Sequence, residues 1–217
     1  KETFFLFDEN HECYDQIDYA SGKIFNTEIN LEPRLAAMYQ INEFSSIKAS
    51  YGRTVQYAQL ATNATAGIPF DMWFPTSPNI KPQKCDQFSI GYFRNFLNDE
   101  IETSVELFYK NIHNVIDFAD NATLIGNLYI DGEVRAGKGY AYGAELLLRK
   151  NFGDFSGWIS YTYSKSMRKV PGINYDREYV SPYDKPHNIS IVLNYAFNKR
   201  FDVSASWIYN TGQPVTY

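Results

Sequence analysis

The chain has 217 residues, 17% of them aromatic, with 18 Tyr and 16 Phe, and a formal net charge of −5. That aromatic load excludes a disordered chain, and the acidic balance argues against a nucleic-acid binder, which carries a basic face. No apolar run approaches the roughly 18 residues of a membrane-crossing helix. The negative mean hydropathy does not exclude a β-barrel, because a barrel strand shows lipid only every second residue.

The opening residues, KETFFLFDENHECYDQ, hold a short apolar run followed by acids, without an h-region of signal-peptide length or an A-x-A-like site. The last residues, NTGQPVTY, stop in turn chemistry just after a strand pattern. Both ends read as those of a segment of a longer chain.

Period-two alternation predicts eight strands. The first, 28–41, sets Ile29, Leu31, Leu35, Ala37, Tyr39 and Ile41 against Asn30, Glu32, Arg34 and Gln40. The second, 46–57, sets Ile47, Ala49, Tyr51, Val55 and Tyr57 against Lys48, Ser50, Gly52, Thr54 and Gln56. The third, 86–96, carries Phe88, Ile90, Tyr92 and Phe96; the fourth, 101–117, carries Ile101, Val105, Leu107 and Tyr109. The fifth and sixth lie in GKGYAYGAELLLRKNFGDFSGWISYTYS, 137–164. There Tyr140, Tyr142, Leu146, Leu148, Ile159, Tyr161 and Tyr163 share one face, and Gly139, Gly143, Glu145 and Arg149 the other. The seventh, 186–197, carries Ile189, Ile191, Leu193, Tyr195 and Phe197; the eighth, 201–210, carries Phe201, Val203, Ala205, Trp207 and Tyr209. Leu147, Trp158 and Ile208 fall on the polar face and need cover from a plug or an inward loop.

Connections alternate strictly between short and long. The short ones, 42–45, 98–99, 153–154 and 198–200, hold the Asn, Asp and Gly that tight hairpins with φ > 0 require. The long ones are 58–85, 118–135 and 168–185. All short turns therefore fall at one end of the strands and all long loops at the other. Phe44, Phe96, Phe152, Phe155, Phe197 and Phe201 cluster beside the short turns, where an aromatic girdle sits at a membrane interface. The strands match the ~9–11 residues of a membrane strand better than the ~5–6 of a mean soluble one.

The segments NLEPRLAAMYQINEFSSIKASYGRTVQY, IKPQKCDQFSIGYFRNF, GKGYAYGAELLLRK, GWISYTYSKS and PYDKPHNISIVLNYAF resemble consecutive barrel strands of TonB-dependent outer-membrane receptors, closest to the kind common in Bacteroidota. YGAELLLRK is the best short piece, and the resemblance runs from Glu28 to Tyr217. It implies an all-β, antiparallel transmembrane β-barrel in a Gram-negative outer membrane, with about eight strands of a larger, 22-stranded barrel, short periplasmic turns and long extracellular loops. Residues 1–27 would be mostly extracellular loop and 28–217 barrel strands, a middle-to-late part of the barrel without its plug domain. The implied function is uptake of a nutrient ligand (an iron chelate, a glycan or a peptide). The implied partners are the TonB complex through the plug region, outer-membrane lipid and a surface lipoprotein. Two other readings stay open: a small closed eight-stranded outer-membrane barrel with a structural or adhesive role, and a soluble barrel that binds a lipophilic molecule inside.

No P-loop, G-x-S-x-G or H-E-x-x-H motif is present, so neither an enzyme nor a cofactor is expected. His11-Glu12-Cys13 lacks the spacing of a closed metal site. Cys13 and Cys85 fall on the long-loop side, where the alternatives are a disulfide and two free thiols. Recognition chemistry concentrates in two loops. The first holds Phe70, Asp71, Trp73 and Phe74, whose aromatics either contact a ligand or partner or fold the loop on itself. The second holds Tyr175 and Arg177, beside Asp176 and Tyr179.

Overall fold

Apolar alternation at period two makes a strand with one face that must be kept dry. In the computed structural model, which describes residues 2–8, 11–24, 26–63, 70–212 and 214, thirteen strands form. They are β1 (Glu2–Phe7), β2 (Cys13–Tyr19), β3 (Arg34–Asn42), β4 (Ser45–Gln56), β5 (Ala58–Asn63), β6 (Phe70–Pro75), β7 (Gln83–Phe96), β8 (Ile101–Phe118), β9 (Val134–Lys150), β10 (Phe155–Lys169), β11 (Tyr179–Val180), β12 (His187–Asn198) and β13 (Phe201–Asn210). Eight of them pair antiparallel in the order β3-β4-β7-β8-β9-β10-β12-β13, with β11 added to β10. The result is an open wall whose edges are β3 and β13, where a closed barrel of eight would pair those two strands.

The register carries both faces across the wall. One rung runs Tyr39, Ile47, Tyr92, Val105, Leu146, Tyr161, Ile189, Tyr209, one residue from each strand. The adjacent rung, on the other face, runs Met38, Lys48, Gly91, Glu106, Glu145, Thr162, Asn188, Asn210. The apolar face is also the exposed one: Leu35, Tyr39, Phe88, Ile90, Val105, Leu107, Leu146, Leu148, Val203 and Trp207 all stand open. All six phenylalanines beside the short turns are exposed too.

The short turns use two devices. Leu97, Asn98 and Asp99 take φ of 53°, 53° and 67°, and Gly153 takes 96°, as a tight hairpin demands. The turns at 42–45 and 198–200 show no positive φ, contrary to expectation. There the Asn42 and Asn198 carboxamide oxygens accept the backbone N–H of Phe44 (3.0 Å) and Arg200 (2.9 Å), which fixes the turn through a side chain instead.

Three features differ from the period-two reading. Residues 28–33 are not strand, and Ile29 and Leu31 are exposed; Pro33 has no N–H to give a ladder, so pairing starts at Arg34. The N-terminal segment forms a hairpin, β1 on β2, rather than plain loop. The long connection after β4 folds into the β5–β6 hairpin. That hairpin closes a small core of Ala61, Phe74, Ile80, Ile116, Phe118 and Val134 above the wall, with the Phe74 and Phe118 rings edge-on at 5.9 Å.

Candidate functional site

The polar face of the wall is built from small residues, charges and a few rings. Phe93 lies beside Gly91 and Phe108 beside Gly143, so a Cβ at position 91 would meet the Phe93 ring at 2.8 Å and one at 143 the Phe108 ring at 2.6 Å. Glycine at these two positions lets each ring lie flat over the sheet, where Lys48 Nζ sits 4.2 Å from the Phe93 centroid and Lys110 Nζ 5.4 Å from that of Phe108. Leu147, Trp158 and Ile208 face the same side, as their parity requires: Leu147 pairs with Ser104 and Ser160, Trp158 with Arg149 and Val192, and Ile208 with Ser190.

At mid-height Glu106 stands directly opposite Glu145. Like charges across a strand pair repel, and neither carboxylate has an ion-pair partner among the described residues. Nearer the short turns the charges are matched: Glu102 pairs with Arg149 at 3.9 Å and accepts from Asn151 Nδ2 at 2.7 Å, and Lys150 binds Glu100. The Glu106–Glu145 pair therefore stands without a countercharge among the described residues. Glu145 is legible as a polar-face residue from the sequence, but its pairing with Glu106 crosses a long loop that does not fix register.

A polar wall face, an exposed apolar face and segregated turns and loops describe a membrane barrel. The family described as TonB dependent receptor-like, beta-barrel matches residues 14–217. The chain belongs to the TonB-dependent receptor β-barrel family. It is thus part of an outer-membrane receptor or transporter of a Gram-negative bacterium; in a membrane barrel the apolar face of the wall turns to lipid and the polar face to the lumen. Neither a curated protein nor a solved structure gives a match.

In such a receptor the long loops lie outside the cell, and the loop residues singled out above separate there. Phe74 is buried in the small core against Phe118 of β8, so this ring docks its loop on the wall. Trp73, its neighbour on β6, points the other way and is 66% exposed. Phe70 and Asp71 open β6 opposite Asn63 and Thr62, and their side chains lie outside the described residues. Tyr175 is 91% exposed, at the centre of a left-handed turn in which Asn174, Tyr175 and Asp176 take φ of 52°, 55° and 58°. Arg177 follows it and is also exposed. Among the described residues no hydrogen bond or ring contact joins Trp73 to Tyr175 or Arg177.

The Tyr175 loop is tied to both faces of the wall. Tyr179 donates its hydroxyl to Asp117 Oδ2 at 2.8 Å, and Arg168 Nη1 reaches the same oxygen at 3.3 Å. Burial first, then the Asp117 charge, pushes the Tyr179 hydroxyl far above its usual pKa, so it stays a donor. Asp184, 2% exposed, accepts from Lys165 Nζ at 3.1 Å and from the Ser166 N–H at 2.7 Å.

Cys13 and Cys85 are free thiols in this structure. Cys13 is exposed on β2, opposite Phe7, whereas Cys85 lies within β7 between Thr54 and Ile112 on the lumenal face. No His/Cys/carboxylate group capable of holding a metal occurs among the described residues. His11 sits against the 3-10 turn at Ile130–Glu133, where burial and then Arg135 lower its pKa. His187 is at the start of β12, bonded to the Tyr161 hydroxyl at 2.9 Å.

Proposed function

We propose that these eight strands are a middle-to-late arc of a larger barrel whose lumen is filled by a plug. The whole receptor takes up a nutrient ligand, an iron chelate, a glycan or a peptide, with energy delivered through TonB. The observation that carries this reading is the Glu106–Glu145 pair on the lumenal face. Two adjacent, unneutralised carboxylates at mid-height favour a lumen occupied by a segment that supplies basic side chains. Leu147 and Trp158, apolar on the same wall, favour a protein occupant over water.

In this mechanism no residue of the wall makes or breaks a bond. The strands enclose the path, and the exposed Trp73, Tyr175 and Arg177 belong to loops that contact the ligand or a surface lipoprotein at the mouth. Withdrawal of the plug from the carboxylate pair opens the lumen.

Uptake of labelled ferric chelates, oligosaccharides and peptides tests the proposal in three strains: the parent, one lacking the receptor, and one with TonB disabled. One ligand class should lose uptake in both altered strains. Equal uptake of all three classes in all three strains would reject the transport reading.

A further inference from the structure

Beyond the aromatic rung Tyr51, Phe88, Tyr109, Tyr142, the lipid side of the wall becomes basic. Lys84 on β7 stands opposite His113 on β8, His113 opposite Lys138 on β9, and Lys138 opposite Lys169 on β10. Parity puts this rung on the face that meets lipid: position 84 is an even number of residues from Phe88, 113 from Tyr109, and 138 from Tyr142. Four residues of strand place it about 13 Å along the strands from the aromatic rings.

This rung is unfavourable as it stands. Lys138 and Lys169 are like charges directly opposite one another, which destabilises a sheet, and the chain as a whole is acidic, at −5. None of the three lysines has an ion-pair partner among the described residues. The nearby carboxylates are already engaged. Asp86 accepts from Arg53 Nε at 2.8 Å and Tyr51 Oη at 2.7 Å, Asp117 from Arg168 and Tyr179, and Glu178 from Tyr140 Oη at 3.0 Å. Among the described residues His113 has the Asn111 carboxamide nitrogen at 3.3 Å and feels the charge of Asp86, which Arg53 already pairs. The row spans three strand spacings, about 14 Å, wide enough for more than one phosphate.

We propose that Lys84, Lys138 and Lys169, with His113, form a binding site for the phosphorylated headgroup of an anionic outer-leaflet lipid. Its place selects the lipid over free phosphate. Acyl chains that cover Leu107, Tyr109 and Leu146 end at the aromatic rung, and the next polar layer outward is the headgroup layer. Long lysine side chains reach along the surface to that layer. The proposal depends on which face meets lipid and not on what the receptor transports.

The test uses the full receptor in phosphatidylcholine nanodiscs, with fluorescent lipid A as the probe. The variant is K84Q/K138Q/K169Q. The control is K199Q/R200Q, which removes cations from the exposed turn at the other end of the wall. Heat-modifiable gel mobility verifies that each variant is a folded barrel. Each lysine near an anionic surface contributes about fivefold in affinity, so the triple variant should bind lipid A on the order of a hundredfold more weakly. The control should bind as the parent does, dephosphorylated lipid A should bind weakly to all, and millimolar inorganic phosphate should not displace the probe. Unchanged binding by the folded triple variant, equal binding of the dephosphorylated lipid, or displacement by inorganic phosphate would each overturn the proposal. The last would mark a free-phosphate site. If the triple variant fails to fold, the single variant K138Q, at the centre of the row, takes its place with an expected loss of about fivefold.

Discussion

The two ends of β8 carry the same apolar face and keep it dry by different means. Below the aromatic rung, Val105 and Leu107 are 45% and 53% exposed to whatever surrounds the wall. Beyond it, Ile116 and Phe118 are 2% and 7% exposed, under the β5–β6 hairpin. A bulge at Asn114, with φ 56°, separates the two ends. Protein covers the upper stretch, and the lower one stands open on the face of the wall. The comparison teaches that alternation shows that a face must be dry, while height along the strand decides what dries it.

Four substitutions break or sharpen this contrast. The largest effect belongs to the upper end: Phe74→Ala leaves a hole in the small core and should cost about 3–5 kcal/mol of local stability. Proteolysis should then cut the loop around 58–82 while the barrel keeps its heat-modifiable mobility. At the lower end, Val105→Arg puts a charge near the middle of the lipid band and should cost about 2–4 kcal/mol in a urea titration in lipid vesicles. The same change at Ser104, one residue away on the lumenal face, should cost far less. Third comes Gly143→Ala on the lumenal face, where the new methyl group meets the Tyr163 carbonyl oxygen and the Phe108 ring. Overpacking of this kind should cost about 1–3 kcal/mol in the same titration.

The smallest effect is at Asp131, next to the upper core. Burial raises its pKa above the ordinary 3.8, and the Asn79 hydrogen bond only partly opposes this. The folded loop thus favours the protonated acid. That contribution is fully present below pH 3.8 and is lost as pH rises through the raised value. Asp131→Asn should therefore protect the loop from protease by about 0.5 kcal/mol relative to the parent at neutral pH. The difference should shrink toward zero in acid, where the parent is itself uncharged at this position.

Much of the wall was legible in the sequence because each of its strands repeats the same alternation, and Ser45–Gln56 and Phe201–Asn210 fall within a residue of where that alternation puts them. Elements that lack the alternation were not legible. ETFFLF is nearly all apolar, and FDMWFP ends in proline, so β1, β5 and β6 read as loop. Of the candidate loop residues, Phe74 shows the limit most clearly. A loop aromatic reads the same in sequence whether it awaits a ligand or closes a core, and only the docking of β5–β6 on β8 separates the two. Register across the long connection 119–133 was out of reach for another reason. No tight turn sets it, and the bulge at Asn114 shifts it by one residue, so Glu106 opposite Glu145 emerges only from the paired strands.

The central claim is that lipid, not protein, dries the apolar face below the aromatic rung. Spin labels placed one at a time along β8, after Cys13→Ser and Cys85→Ser, measure it directly through collision with oxygen and with a water-soluble nickel chelate. The account predicts high oxygen access at 103, 105, 107 and 109, high nickel access at 104, 106 and 108, and protection from both at 116 and 118. Nickel access at 105 and 107 with oxygen access at 104 and 106, or the same access at every position from 103 to 109, would contradict it.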